Sequence, residues 1–307
     1  MIRWSTATLA VLACSLLCTP MAAQDSTLEA QLAAITGRAN GTVGVAVRDL
    51  GSGRQLTINN GVRFPMQSVF KFPLALAVLH RVEEGRLSLD QVVHIDRQQL
   101  LPDTWSPIRD AHPGSSVDLP LADLLRFVVS QSDNNGCDAL FRLMGGTAVV
   151  DRYIHSLGIR EIAIAATEEQ MHSDWGTQFR NWVHPTALVD LLERFDRTRL
   201  LSEANQAFLW KLMVETTTGP NRLKGRLPQR VLVAHKTGTS GKNPSGVSAA
   251  VNDAGILVLP NGRRLAIAVL VTGATAPDEV SERVIADIAR AVVDHVLAGE
   301  PLPARWR

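Results

Sequence analysis

Apolar and polar positions follow two different patterns along the chain, one near its two ends and another through its middle. Near the ends, short runs rich in Val, Ile and Ala are bounded by turn residues, which is typical of β-strands. The ranges with this pattern are 42–47, 54–58, 231–237, 247–259 and 265–271. Asn261-Gly262 separates the last two ranges, as in a tight hairpin. Strands are therefore predicted from both ends of the chain.

In the middle of the chain, apolar residues recur every three or four positions, as on the buried face of a helix. A buried helix is predicted to follow Ser68 and to end at Gly85, and a long amphipathic helix is predicted at 278–297. Another helix precedes the first strand and ends at Gly37. Further helices are predicted at 121–129, 137–144, 147–157, 185–195 and 203–214.

This order of elements predicts an α+β fold, a three-layer sandwich with one inserted segment. Residues 24–64 and 214–307 are predicted to form an α/β lobe, whose antiparallel sheet is built from both chain ends and flanked by the terminal helices. Residues 65–213 form an inserted all-α lobe, and the whole of 24–307 makes a single domain. The crevice between two such lobes is where a ligand is expected to bind.

The first 23 residues have the composition of a secretory signal peptide. One positive charge at Arg3 precedes an apolar run at 9–18, which is too short to span a bilayer, and small residues lead up to Ala23. Cleavage near Ala23 would leave Cys137 as the one cysteine of the mature chain, so no internal disulfide is expected. The protein is predicted to be periplasmic or secreted.

The charge balance favours a small-molecule partner. The chain of 307 residues has 31 Lys and Arg against 30 Asp and Glu, with no basic stripe and no second long apolar segment. Binding to nucleic acid and stable insertion into a membrane are therefore disfavoured. The eight histidines show no metal-binding spacing, so neither a metal nor another cofactor is expected. A monomer is expected.

Three short polar motifs occur in order along the chain: Ser68-x-x-Lys71, Ser132-Asp133-Asn134 and Lys236-Thr237-Gly238. A serine hydroxyl is a weak nucleophile, and a lysine one helical turn away can take part in removing its proton. Each motif alone is explained more simply, as helix caps, a surface lysine or a glycine turn. Together and in this order they are the signature of class A β-lactamases and penicillin-binding proteins.

The chain resembles class A serine β-lactamases from the signal peptide to the last helix, and it is similar to their extended-spectrum VEB/PER-type branch. The similar segments are 64–73, 101–107, 168–172, 216–219, 222–225 and 234–240. The resemblance implies a β-lactamase/transpeptidase-like fold. It also implies hydrolysis of the β-lactam amide of penicillins and cephalosporins, with an extended spectrum, and hence antibiotic resistance.

The resemblance assigns the catalytic roles. Ser68 attacks the β-lactam carbonyl and becomes acylated, and either Lys71 or Glu168 is the base for this step. Ser132 passes a proton to the departing ring nitrogen. Glu168 then activates the water that hydrolyses the acyl-enzyme, although the adjacent Glu169 is a competing candidate on sequence alone.

The resemblance also implies a set of substrate-binding residues. The backbone N–H groups of Ser68 and Thr239 are expected to form the oxyanion hole. The substrate carboxylate is expected to meet hydroxyl and cationic groups, with Arg222 adding positive charge, and Trp105 is expected at the pocket mouth. The residues expected to bind substrate are Asn134, Lys236, Thr237, Gly238, Thr239, Arg222, Trp105 and His172.

Two positions depart from the common family pattern. Met171-His172 stands where Leu-Asn is usual after the glutamate, which predicts an altered, wider loop and a more open site. His235 stands where many relatives have an acidic residue, with no clear consequence.

Two alternatives remain open on the same motifs. One is a penicillin-binding DD-carboxypeptidase or transpeptidase, which lacks an efficient deacylating base. The other is a β-lactam sensor domain that stays acylated, although such a sensor should have a membrane tether and none is visible.

Overall fold

The computed structural model describes residues 21–198 and 200–303. The predicted signal peptide falls largely on residues 1–20, which lie outside the described residues, so its presence and its cleavage near Ala23 stay predictions. Within the described part, no helix is both long enough and apolar enough to cross a membrane.

The strands and helices follow one another as the apolar pattern predicts for the longer elements. The strands are β1 (Thr42–Asp49), β2 (Gln55–Ile58), β3 (Phe64–Pro65), β4 (Val92–Ile95), β5 (Val117–Pro120), β6 (Ile162–Ala163), β7 (Trp182–Val183), β8 (Leu232–Thr239), β9 (Val251–Val258) and β10 (Arg264–Thr272). The helices are α1 (Met21–Thr36), α2 (Lys71–Glu83), α3 (Pro107–Ala111), α4 (Leu121–Ser130), α5 (Asn134–Met144), α6 (Thr147–Ser156), α7 (Glu168–Ser173), α8 (Pro185–Arg197), α9 (Glu203–Val214) and α10 (Asp278–Leu297).

Five strands form one antiparallel sheet in the order β2-β1-β10-β9-β8. Strands from opposite ends of the chain are neighbours in it, since β1 pairs with β10 from Thr42 opposite Thr272 to Asp49 opposite Leu265. Helices α1 and α10 pack together on one face of the sheet, and α8 packs on the other. The three-layer α+β sandwich is therefore confirmed.

Alternate residues of β10 enter two different hydrophobic cores, because successive side chains of a strand point to opposite faces. One core joins the sheet to the inserted helices, and it takes up Ala266, Ala268 and Leu270. The other lies under α1 and α10, and it takes up Leu265, Ile267, Val269 and Val271. Burial on both faces explains why this strand is an unbroken apolar run in the sequence.

The inserted segment differs from the sequence prediction in its detail. It carries the helices that the periodicity predicts, but it also contains five short strands, which form a pair (β4 and β5) and a three-stranded sheet (β3, β7 and β6). A strand of two residues cannot show a period-two pattern, and one of four residues shows barely two repeats of it. The strand predicted at 247–259 begins later, at Val251, because Ser248 forms isolated bridges to Lys242 and Ala274.

The sheet and the inserted helices meet at the turn Gln67–Phe70, which is a 3₁₀ helix leading into α2. The side chain of Asn252 on β9 donates hydrogen bonds to the carbonyl oxygens of Pro65 and Met66, at 2.8 and 3.1 Å. A Cβ atom on Gly238 would lie 2.4 Å from the Met66 oxygen. Glycine is therefore required for β8 to pass this close to Ser68.

Candidate active site

Ser68 lies in the 3₁₀ turn, and Lys71 is the first residue of α2. Lys71 Nζ is 3.0 Å from Ser68 Oγ, as the three-residue spacing predicts. Gln67, directly before Ser68, has a φ of 47°, in the left-handed region that residues other than glycine rarely adopt. Ser68, the predicted nucleophile, therefore lies on a strained turn with its hydroxyl beside a lysine amine.

The amine of Lys71 is fully buried and is surrounded by oxygen atoms. Besides Ser68 Oγ, it contacts the Ser132 carbonyl oxygen at 2.8 Å, Asn134 Oδ1 at 2.6 Å and Glu168 Oε1 at 2.8 Å. A charged amine has three protons and so cannot donate to all four oxygens at once. The cluster is therefore suited to exchange of a proton among Ser68, Lys71 and Glu168.

Glu168 begins α7, whose first turn is closed by a capping box between Thr167 and Gln170. Its carboxylate oxygen lies 3.4 Å from Ser68 Oγ as well as 2.8 Å from the Lys71 amine. Glu168 is buried, whereas Glu169 is exposed. Of the two adjacent glutamates, Glu168 is the one that faces Ser68.

Asp138 on α5 holds the start of α7, and the sequence reasoning missed it. Its two carboxylate oxygens accept hydrogen bonds from the backbone N–H groups of Glu168 and Glu169, both at 2.8 Å. Burial and, to a smaller extent, the nearby charge of Glu168 raise the pKa of Asp138 to about 6, against the opposing effect of the two N–H groups. The sequence signal that could have identified Asp138 is the presence of an acidic residue on a largely apolar helix, one turn after Asn134.

A second buried lysine lies on the other side of the site. Lys236 Nζ donates to Ser132 Oγ at 2.9 Å and to the Thr237 carbonyl oxygen at 3.0 Å. Burial lowers the pKa of Lys236 well below its usual value, and the charge of Lys71 acts in the same direction. Ser132, with a φ of 61°, thus connects the two lysines, because its carbonyl faces Lys71 and its hydroxyl faces Lys236.

Two open cavities meet at Ser68. The main cavity, of 540 Å³, is lined by Ser68, Trp105, Ser132, Asn134, Thr217, Thr218, Gly219, Pro220, Thr237 and Thr239. The second cavity, of 300 Å³, shares Ser68, Asn134 and Thr239 with it and extends under the loop that carries Glu168 and His172. Together they give a small molecule access to the nucleophile from two sides. Among the described residues, no group of three or more His, Cys, Asp or Glu side chains is arranged to hold a metal ion.

Residues 27–296 match the model of the Beta-lactamase enzyme family. The chain belongs to this family. It is 45% identical to Beta-lactamase VEB-1 of Pseudomonas aeruginosa, over 90% of this chain and 92% of the relative. It is 47% identical to Extended-spectrum beta-lactamase PER-1 of the same organism, over 87% of each chain. The predicted resemblance to the VEB/PER-type branch is confirmed.

Solved β-lactamase structures share the fold. The TLA-3 extended-spectrum beta-lactamase superposes with a TM-score of 0.87 at 42% identity, covering 89% of this chain and 99% of that one. A beta-lactamase from Chitinophaga pinensis DSM 2588 gives a TM-score of 0.86 at 50% identity, covering 88% and 99%. This β-lactamase is therefore a class A serine enzyme that acts on β-lactams, as the sequence predicts.

Within the β-lactamase site, Arg222 lies behind Thr239, and its expected contribution of positive charge to substrate binding stays a prediction. Its guanidinium is buried and lines neither cavity. It donates to the carbonyl oxygens of Gly238 and Asn252 at 3.0 and 2.9 Å, to Thr239 Oγ1 at 2.7 Å and to Glu282 at 3.1 Å. With these partners, Arg222 orients Thr239 and braces the end of β8 from behind.

The two positions that depart from the family pattern have different surroundings. His172 is exposed, lines the second cavity and has no hydrogen-bond partner among the described residues. His235 is fully buried, and its Nδ1 lies 2.8 Å from an Asp253 carboxylate oxygen. The buried Nε2 of His235 has no partner within the described part of the chain. His235 thus forms an internal pair beside Lys236, which the sequence pattern did not reveal.

Proposed function

We propose that this β-lactamase hydrolyses penicillins and cephalosporins through an acyl-enzyme on Ser68 that is deacylated by a water activated by Glu168. The observation that carries the proposal is the position of the Glu168 carboxylate, 3.4 Å from Ser68 Oγ and 2.8 Å from Lys71 Nζ. A carboxylate at this place can orient and deprotonate a water that attacks the ester formed on Ser68.

Acylation uses the groups on both sides of Ser68. The Ser68 hydroxyl loses its proton to Lys71 or Glu168, and its oxygen attacks the β-lactam carbonyl carbon. The N–H groups of Ser68 and Thr239 stabilise the oxyanion. The C–N bond of the ring then breaks, and the ring nitrogen takes a proton from Ser132. Lys236, which donates a hydrogen bond to the Ser132 oxygen at 2.9 Å, supplies the replacement proton.

Substrate binding follows from the walls of the main cavity. Asn134 offers its side chain to the acyl-amide of the substrate, and Trp105 provides an exposed aromatic surface at the mouth. The hydroxyls of Thr237 and Thr239, two residues apart on one face of β8, bind the substrate carboxylate. Lys236 contributes positive charge from directly behind them. Gly238 allows the close packing of this strand against the nucleophile turn.

The substrate range is proposed to include extended-spectrum cephalosporins. The second cavity, with His172 at its wall, provides room for a bulky acyl side chain, and the PER-1 and TLA-3 relatives are named extended-spectrum enzymes. Comparable kcat/KM values for a simple penicillin and an oxyimino-cephalosporin would support this range. Turnover of the penicillin alone would contradict it.

The central test follows turnover and protein mass together with a chromogenic cephalosporin. Wild-type protein is expected to turn over many times, and Glu168→Gln to accumulate a covalent adduct on Ser68. Glu169→Gln is the matched control, because it removes the adjacent, exposed carboxylate, and it should keep multiple turnovers. A stoichiometric burst with a persistent wild-type adduct would instead favour the penicillin-binding or sensor alternatives.

Export and assembly complete the proposal. The enzyme is proposed to act as a periplasmic or secreted monomer after cleavage near Ala23. Mass spectrometry of the exported protein should give the mass of a chain beginning near residue 24, and light scattering should give the mass of one chain.

A further inference from the structure

The segment 216–220 forms one wall of the main cavity and is anchored from several directions. The Thr217 N–H donates to the Ser130 carbonyl oxygen at 2.9 Å. The Thr216 hydroxyl donates to the His235 carbonyl oxygen at 2.7 Å, and Lys224 Nζ donates to the Thr216 carbonyl oxygen at 3.0 Å. This wall is therefore held in place before any substrate arrives.

The Thr218 hydroxyl on this wall lies 2.5 Å from the Thr237 hydroxyl on β8. Both side chains line the main cavity, and among the described residues neither hydroxyl has another hydrogen-bond partner. Gly219 permits this approach, because its φ is 58° and a Cβ atom there would lie 2.7 Å from Thr237 Cγ2. The hydroxyl pair is thus a built feature of the cavity wall.

The neighbouring Thr239 shows how such a hydroxyl is oriented. Its oxygen accepts a hydrogen bond from Arg222, which can only donate, so the Thr239 hydroxyl proton is left to point at a ligand. Among the described residues, no cation donates to the Thr237 hydroxyl oxygen. Its partner is Thr218, which can either donate or accept. An incoming ligand decides the direction of this bond.

A carboxylate accepts hydrogen bonds and cannot donate them. When one binds beside β8, the Thr237 hydroxyl donates a charge-assisted hydrogen bond to the carboxylate. Its oxygen is then free to accept a hydrogen bond from the Thr218 hydroxyl, and each bond in such a chain strengthens the next. We propose that Thr218 is a positioning residue of the carboxylate subsite, acting through a chain from Thr218 to Thr237 to the substrate carboxylate.

This inference rests on the proposed function, and it predicts a dependence on the charge of the substrate. The test compares a cephalosporin that has a free ring carboxylate with its methyl ester. Thr218→Val keeps the shape and removes the hydroxyl, so kcat/KM for the acid should fall by about 3- to 10-fold, the usual effect of one hydrogen bond. The loss should appear in KM with kcat little changed, because the bond is present in ground and transition states alike.

Three comparisons separate the hydroxyl chain from a general disturbance of the wall. The loss in Thr218→Val should be clearly smaller for the ester than for the acid, because the ester carbonyl accepts only an uncharged hydrogen bond, and Thr218→Ser should restore the acid-to-ester ratio. Thr217→Val is the matched loop control. Its hydroxyl already donates to the Ser130 carbonyl oxygen at 3.2 Å, so its loss should leave the acid-to-ester ratio unchanged.

The results distinguish this inference from the function on which it rests. Equal losses for acid and ester in Thr218→Val, or no rescue by serine, would overturn the role of Thr218 while leaving β-lactam hydrolysis intact. Wild-type protein that turned over neither substrate would overturn the proposed function, and this inference with it. A selective, serine-rescued loss for the acid supports the hydroxyl chain.

Discussion

Asp138 offers a quantitative test of how the loop carrying Glu168 is held. Its carboxylate accepts the backbone N–H groups of Glu168 and Glu169, each at 2.8 Å, from a position that is almost completely buried. Asp138→Asn keeps the size of the side chain and removes the charge. The asparagine oxygen can still accept a hydrogen bond from one of the two backbone N–H groups. The asparagine NH₂ group, which is a donor, then faces the other N–H group.

The magnitude follows from the pKa. Burial, and then the charge of Glu168, raise the pKa of Asp138 from 3.8 to about 6 in the folded protein. Because the folded state holds this proton more tightly than the unfolded chain, the contribution of Asp138 to stability is fully present below about pH 4 and is lost as pH rises through 6. A difference of about two between the folded and unfolded pKa values of Asp138 corresponds to about 3 kcal/mol in the free energy of unfolding.

The assay is urea unfolding of wild type and Asp138→Asn at intervals between pH 4 and pH 8. The unfolding free energy of the wild type minus that of Asp138→Asn should be about 3 kcal/mol larger at the acid end of this range than at its neutral end. Asp174→Asn is a control of opposite sign, because hydrogen bonds from the Thr177 hydroxyl and N–H lower the pKa of exposed Asp174. That contribution is present at neutral pH and is lost on acidification. A wild-type-to-Asp138→Asn difference that is flat across pH would refute the reasoning.

Three further predictions concern other positions. His235→Ala removes the hydrogen bond between His235 and the fully buried Asp253 carboxylate, so the free energy of unfolding should fall by about 1–3 kcal/mol. A loss below about 0.5 kcal/mol in urea titration would contradict this role of His235. Gly238→Ala places a Cβ atom 2.4 Å from a backbone oxygen and should displace the Thr239 N–H, with kcat/KM falling about 100-fold or more while the melting profile remains cooperative. Hydrogen bonds to two neighbouring aspartates raise the pKa of exposed His94, so its contribution to stability is present below about pH 6.5 and is lost above its raised pKa. His94→Asn should therefore lower the melting temperature more at pH 5.5 than at pH 8.5, and equal effects at both would disprove it.

The long elements were predictable because their signals are local. A helix or strand that buries one face repeats apolar residues with its own period, and β1, α4, α8 and α10 all show it. The pairing of Ser68 with Lys71 was also predictable, because three residues make about one helical turn. The order of the three polar motifs limited the chain to β-lactamases and penicillin-binding proteins. Strands of two residues, such as β3 and β6, escaped prediction because they are shorter than the pattern that would reveal them.

Tertiary structure decided which residues meet across long stretches of chain. In the folded protein, Glu168 rather than Glu169 contacts Lys71, and Arg222 lies behind β8. The Asp138 carboxylate accepts hydrogen bonds from the start of α7. The contact between Thr218 and Thr237 likewise depends on how the wall packs against the sheet. Periodicity shows which face of an element is buried, but not which face of another element it meets. Sequence alone thus predicted the longer elements, a small set of related enzyme classes and Ser68 as the nucleophile, whereas packing between distant segments determined which side chains surround Ser68, Lys71 and Lys236.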